Sequence, residues 1–261
     1  MRLDLYVSAE MKFCSREKAR FYIKNGDVTV NGEVVKKPAY DVKESDRVGV
    51  SDSIGFVGKG GLKLKKAIKS FNLNFFDKIV LDVGASTGGF TDCALQYGAK
   101  KVFSVDVGHG QLDKKLLRDK RVVNLEGCNI LDIKPAEIGK TDIVVSDVSF
   151  VSVKKIISHL ADFIDDDGQI VCLIKPQFEI GKKKIKNGVV SGEKDHIETV
   201  ADVIGFAQSF GLTVYGLDFS PIKGGEGNIE FLVSFGKRSE CEKAVDIKAT
   251  VRRAHETLKG R

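Results

Sequence analysis

The sequence predicts an α/β protein with a mostly parallel sheet covered by helices on both faces, preceded by a small basic α+β module. Three observations carry this. From Lys78 onward, short unbroken apolar runs alternate with longer helical segments, the pattern of strands buried on both faces. Two late strands, 212–217 and 230–235, have no long helix between them, so an antiparallel hairpin should finish the sheet. Residues 1–55 follow a different pattern, a basic helix and then short strands around an Asn-Gly turn.

Composition narrows the classes. With 261 residues, 42% hydrophobic and 30% charged, the chain can bury a core and is no disordered polymer. A net charge of +6 permits a polyanionic partner without demanding one. No apolar run approaches the roughly 18 residues of a membrane span. Met1-Arg2-Leu3-Asp4-Leu5 lacks a signal-peptide core, so a cytoplasmic protein with no membrane partner is expected. Five scattered cysteines (Cys14, Cys93, Cys128, Cys172, Cys241) offer neither a disulfide framework nor a metal knuckle, and no metal is expected.

In the first module, Ser15 can cap a helix running to Lys24. Ala19, Tyr22 and Ile23 form its apolar stripe, and Arg16, Lys18, Arg20 and Lys24 project mostly elsewhere. Asn25-Gly26 stops the helix, and strands 28–30, 33–35 and 48–50 follow. Such cations serve solubility as readily as phosphate binding. The order Arg2-Leu3-Asp4, Ser15-Arg16, Ala19 and Ile23 to Gly32 resembles the S4 RNA-binding domain. That resemblance implies that Arg16, Arg20 and Lys24 grip structured RNA.

The second part reads as strands 79–83, 101–106, 121–125, 142–147 and 169–175, with helices 90–97, 153–163 and 196–210. The expected boundaries are 1–55, a linker and lead-in helix at 56–77, and a domain at 78–261. The first strand runs into Asp82-Val83-Gly84-Ala85-Ser86-Thr87-Gly88-Gly89-Phe90-Thr91. Glycines allow tight turning and close approach of a ligand, and a helix N-terminus exposes free amides. Asp106 ends the next strand, 24 residues after Asp82, where an acid can accept from ribose hydroxyls. A plain Gly-rich turn with no ligand is the alternative. The glycine spacing departs from the dinucleotide pattern and resembles the S-adenosylmethionine loop of Rossmann-like methyltransferases. The resemblance implies that Asp82, Gly84, Ser86, Thr87, Gly88, Gly89, Phe90, Asp106 and Asp147 hold that cofactor. It places Asp82 near the cofactor's charged amino-acid end and Asn129 near its adenine ring.

Polar residues also arrive at strand ends, outside which open α/β sheets bind ligands. Asp147 ends the fourth strand and Lys175 the fifth. A lysine there is costly unless paired or used, and a structural Lys175–Asp147 ion pair is the plain reading. With Lys63 and Glu230 the set resembles the Lys-Asp-Lys-Glu tetrad of FtsJ-like ribose 2′-O-methyltransferases. Gly-Gly-Leu-Lys-Leu, Ser-Asp-Val-Ser-Phe and Ile-Lys-Pro-Gln-Phe-Glu, joined to an S4-like module, resemble the TlyA family, also labelled hemolysin A. The resemblance spans essentially the whole chain. It implies methylation of cytidine riboses in ribosomal RNA or ribosomal subunits, with Lys175 handling the hydroxyl proton, Asp147 orienting it, and Lys63 and Glu230 positioning ribose and charge. A non-catalytic RNA-binding protein and a membrane-lytic protein are the competing readings.

Further basic segments surround this set. Lys182, Lys183, Lys184 and Lys186 form a loop that could hold RNA, and the stretch from Gly236 carries a net charge of +4. Lys65, Lys66 and Lys69 are expected on a solvated helix face.

Overall fold

The computed structural model describes residues 1–10, 16–50, 55–181, 185 and 187–259. They fall into two compact units, Met1–Phe56 and Val57–Arg261.

In the first unit, helices α1 (Leu3–Glu10) and α2 (Arg16–Asn25) accompany strands β1 (Val28–Val30), β2 (Glu33–Val34) and β3 (Val48–Val50) in the antiparallel order β2-β1-β3. Ala19, Tyr22 and Ile23 meet Leu3, Val7, Val28, Val30 and Val42 in the core. Asn31 and Gly32 both take positive φ, as the hairpin turn requires. Helix α1 has no counterpart in the sequence reading, because its buried face includes a charge. Asp4 is 0% exposed and is held by both nitrogen arms of Arg2, each at 3.0 Å, and by Arg16 Nε at 3.2 Å. The hydrogen bonds from Arg2 lead in holding its carboxyl down at about 2, with Arg16 adding to them against the cost of burial. Arg16, Arg20 and Lys24 are exposed. The expected Ser15 cap lies outside the described residues.

The second unit begins with α3 (Gly60–Phe71) and continues with β4 (Ile79–Val83), α4 (Gly89–Gln96), β5 (Lys101–Asp106), the short α5 (Lys114–Leu117), β6 (Val122–Glu126), the one-turn α6 (Pro135–Ile138) and β7 (Thr141–Ser146). Then come α7 (Lys154–Ala161), β8 (Ile164–Ile174), α8 (Pro176–Glu179), α9 (Glu193–Ser209), β9 (Thr213–Phe219), β10 (Phe231–Gly236) and α10 (Ile247–Leu258). The seven-stranded sheet has the order β6-β5-β4-β7-β8-β10-β9 and is parallel except for β10, which slots antiparallel between β8 and β9. The fold is thus the mostly parallel α/β sheet that the sequence predicts.

Apolar faces of α7, α9 and α10 share one core with the sheet, through residues such as Leu160, Val203, Ala254, Val144, Ile170 and Phe231. Helix α10 escapes the sequence reading because its charge density masks the stripe of Val251, Ala254 and Leu258. Asp246 caps it by accepting from the Ala249 amide, and its His255 meets His196 of α9 at 2.8 Å. Strand β8 starts five residues earlier than the apolar run suggests, the acidic triplet Asp165–Asp167 being part of it. Lys66 does not fit the expected solvated face. It is half-buried, with its ammonium 3.4 Å from the centre of the Phe219 ring and 3.3 Å from Asp218. Among the described residues, no helix is long and apolar enough to cross a membrane.

Asp4 supplies a test of the first unit. A carboxyl held low contributes stability that is present above its unfolded value and lost as pH falls toward 2. Asp4→Asn should lower the melting temperature of the unit at neutral pH by roughly 5 °C or more and flatten its acid sensitivity below about pH 4, as read by thermal melts across pH.

Candidate active site

Four charged side chains converge at one end of the large sheet. Asp147 immediately follows β7, and Lys175 immediately follows β8. Glu230 immediately precedes β10. Because β10 runs antiparallel, its beginning lies at the same end as the carboxyl ends of β7 and β8. Lys63 comes from the first turn of α3, which packs on α4, β9 and β10.

Asp147 is shared. Its Oδ1 lies 2.7 Å from Lys175 Nζ and its Oδ2 3.1 Å from Lys63 Nζ. Lys63 Nζ also lies 2.7 Å from Glu230 Oε2. Lys175 Nζ further donates to Ser149 Oγ at 2.7 Å and to the Asp147 carbonyl at 3.3 Å. The contacts at Asp147 Oδ1 and Glu230 Oε2 are ion pairs without hydrogen-bond alignment. Two ammonium and two carboxylate groups leave the array formally neutral. Lys63, Lys175 and Glu230 are only 8%, 7% and 2% exposed.

Burial works against the charge on Lys63, but the carboxylates of Asp147 and Glu230 outweigh it and hold the ammonium above its ordinary pKa. Burial pushes Glu230 up, with the neighbouring Asp147 adding to that and Lys63 opposing it. Gly224 lies against Glu230, whose carboxylate a Cβ there would strike. The buried Asn228 accepts from the Val190 amide at 2.9 Å and donates to the Gly188 carbonyl at 2.8 Å, fixing the segment beside Glu230.

A cavity of about 580 Å³ opens beside this array. Gly84, Ser86, Asp106, Asn129 and Asp147 all line it. Gly84 has φ +83, and a Cβ there would stand 3.1 Å from the backbone of Asp147 and Val148. The Asp106 carboxylate accepts the Ser86 and Gly108 amides at 2.8 Å each, which fixes its orientation and leaves lone pairs for a ligand. Asn129 Oδ1 accepts from the Leu131 amide. Val105, Ile130 and Ile156 give the cavity apolar walls.

The rest of the glycine turn faces elsewhere. Asp82, Thr87, Gly88, Gly89 and Phe90 are not among the lining residues. Asp82 is fully buried, accepts from Thr91 Oγ1 at 2.6 Å, and is pushed up to about 7, chiefly by burial. Gly88, at φ +94, faces Leu112 and Leu116 with no room for a Cβ. Gly89 packs against the backbone of Gly60 and Gly61, where a Cβ would come within 3.0–3.2 Å. Phe90 is buried and Thr87 exposed. These glycines let helices approach one another. Of the glycines in this turn, Gly84 is the one that lines the cavity. Lys182, Lys183 and Lys184 lie outside the described residues, as does Lys186.

The sequence reading overlooked Phe150. It lines the cavity, is 92% exposed and has φ +66, an uncommon conformation for a bulky side chain. Its ring faces Phe178 with centroids 5.2 Å apart. An aromatic residue three positions after a strand-end carboxylate is a usable sequence signal, although its backbone conformation is not. Ser149 went unread too, since nothing in sequence ties it to Lys175.

Comparison with known proteins agrees with this geometry. The model of the FtsJ-like methyltransferase family matches residues 56–237, and that of the S4 domain matches residues 1–48. Hemolysin A of Brachyspira hyodysenteriae is 41% identical over 90% of this chain and 99% of its own length. The 16S/23S rRNA (cytidine-2′-O)-methyltransferase TlyA of Mycobacterium tuberculosis is 36% identical over 94% and 92%. A solved structure from Streptococcus thermophilus, described provisionally as a hemolysin, is 41% identical and superposes with a TM-score of 0.78 over 99% of this chain and 97% of that one. The chain therefore belongs to the TlyA/hemolysin A family, FtsJ-like methyltransferases that carry an N-terminal S4 domain.

Proposed function

We propose that this protein transfers a methyl group from S-adenosylmethionine to the 2′-hydroxyl of a ribose in ribosomal RNA, a cytidine ribose first among the candidates. The observation that carries the reading is the neutral Lys175–Asp147–Lys63–Glu230 array beside a nucleoside-sized cavity at the strand ends. The cytidine assignment rests on the TlyA relative and the RNA assignment also on the S4 match.

The residues present fit the cofactor. Val105, Ile130 and Ile156 offer apolar faces to an adenine ring, with Asn129 at the rim. The fixed Asp106 carboxylate suits ribose hydroxyls. Gly84 lets the donor's amino-acid end lie against the main chain next to Asp147. Bound S-adenosylmethionine supplies a methyl group already activated on a sulfonium.

What remains for the protein is to align the ribose oxygen and manage its proton. Lys63 is held protonated between two carboxylates, so it acts as a fixed counter-charge and a poor base. Lys175 carries the proton-handling role: Asp147 and Ser149 aim its Nζ, and both of these lie on the cavity wall. Glu230 keeps Lys63 in place. The exposed ring of Phe150 offers a stacking face for an unpaired base whose ribose enters the array. On the first unit, the exposed Arg16, Arg20 and Lys24 of α2 would hold RNA phosphates.

The test is transfer of labelled methyl from S-adenosylmethionine to ribosomal subunits, with mass mapping of ribose methylation. Wild-type protein should label a 2′-hydroxyl, and Lys175→Ala should lose about 10²–10⁴-fold in rate while still binding cofactor in calorimetry. Transfer that survives Lys175→Ala would sink the mechanism, and wild-type protein that binds RNA but not cofactor would sink the function. Phe150→Ala should lower kcat/KM for RNA about 10- to 100-fold, the worth of one base–aromatic stack, a larger loss than any in cofactor affinity. An unchanged RNA dependence in that variant would remove the stacking role.

A further inference from the structure

One turn of chain, Lys175 to Glu179, touches the loop after β7 at several points. Lys175 Nζ reaches Asp147 and Ser149. The Phe178 ring faces Phe150. Glu179 Oε1 accepts from the Val153 amide at 2.7 Å, and its Oε2 accepts from Ser152 Oγ at 2.5 Å. Ser152 Oγ in turn accepts from the Lys154 amide at 3.2 Å, so one carboxylate gathers up the start of α7. Pro176, at the first position of α8, pre-sets the turn that spaces these side chains.

The loop between these anchors needs holding. Phe150 has a left-handed backbone, which is unfavourable for a bulky residue and persists only where the surroundings impose it. Its side chain is almost wholly exposed, so packing of the ring into a core does not impose that conformation. Besides the Phe178 ring, the contacts that bear on it lie on the two flanks, Ser149 on the Lys175 side and Ser152–Val153 on the Glu179 side. Burial raises the Glu179 pKa above its ordinary value, with its bonds to Ser152 and Val153 acting the other way. A carboxylate in this position is therefore costly. A negative group at the start of α7 recovers part of that cost.

We infer that Glu179 is a positioning residue, whose carboxylate pins Ser152 and Val153 and thereby holds Phe150 in the backbone conformation that presents its ring to the substrate base. The inference rests on the stacking role given to Phe150 under the proposed function. Glu179 acts through Phe150 and does not itself reach the reacting atoms.

A double-mutant cycle tests it. Glu179→Ala should lower kcat/KM for ribosomal RNA about 10- to 100-fold, as misplacement of a substrate contact does. In a Phe150→Ala background the same change should cost less than about 2-fold, since the ring it serves is gone. Glu179→Gln should stay within about 3-fold of wild type, because the amide oxygen can accept from Val153 while its N–H donates to Ser152. Ser152→Ala, a milder cut at the same pin, should show the same dependence on Phe150. Amide hydrogen exchange on the protein alone should quicken at residues 150–153 in Glu179→Ala and stay unchanged in β4 and β5. Equal losses in both backgrounds, a Gln variant as slow as Ala, or unchanged exchange at 150–153 would overturn the inference. The exchange measurement needs neither cofactor nor RNA. A wild-type protein that transfers no methyl group would defeat the proposed function and leave the pin to be judged by exchange.

Discussion

The large unit depends on Asp147 being shared between two lysines. Four ionisable groups taken out of water cost several kcal/mol each, and their mutual attraction repays that only when the geometry is good and the charges cancel. Here they cancel, with Asp147 contacting both Lys63 and Lys175 and Glu230 completing the set. An apolar cluster of the same volume would serve stability as well or better. The array is thus best understood as chemistry retained at a cost in stability. In the proposed mechanism the two lysines divide the work. Lys63 contacts two carboxylates, those of Asp147 and Glu230, while Lys175 contacts Asp147 and turns further donors to Ser149 and the Asp147 carbonyl.

Bringing the array together requires one strand to run against the others. Were β10 parallel to β8, Glu230 would begin it at the opposite end of the sheet. The antiparallel insertion of β10 between β8 and β9 places that residue with Asp147 and Lys175. Lys63 needs a different device, since it arrives on a helix. The backbone of Gly60 and Gly61 meets Gly89 so closely that a Cβ on Gly89 would come within 3.0–3.2 Å of it. That approach seats the first turn of α3 low enough for Lys63 to reach Asp147, 84 residues away in sequence.

Much of this was legible in sequence, and the parts that were not share a cause. Unbroken apolar strands announce themselves, and a lysine or aspartate ending one stands out because an unpaired charge there is expensive. Lys63 carried no such signal, because helical periodicity does not say which face meets which strand; only the family resemblance placed it. Helices α1 and α10 were missed because Asp4 breaks the buried face of one and a dense charge pattern hides the stripe of the other. In sequence the glycine turn reads as a single ligand loop. In the fold it splits, with Gly84 toward the cavity and Gly88 and Gly89 toward helices. Gly, lacking a Cβ, serves ligand approach and helix approach equally, and composition cannot tell the two apart. The positive φ of Phe150 is likewise a product of tertiary contacts.

The segment from Asp147 to Val153 belongs to two sites at once. Residues 147–151 of it line the cavity proposed for the cofactor, and they also supply the shared carboxylate, the Ser149 contact to Lys175 and the exposed Phe150 ring. At its start, the Asp147 amide donates to the Val83 carbonyl at 3.1 Å, and the position of a Cβ on Gly84 would touch the Asp147 carbonyl. Interiors packed this tightly transmit displacement instead of absorbing it. A ligand seated against Gly84 would therefore press on the same backbone that carries Asp147, and through it on Lys175. Separate segments could have been adjusted independently. Here the wall proposed for the methyl donor and the residues proposed to receive the sugar are successive links of one short chain, so on that reading the alignment of donor and acceptor would be set largely by how firmly that chain is held at both ends.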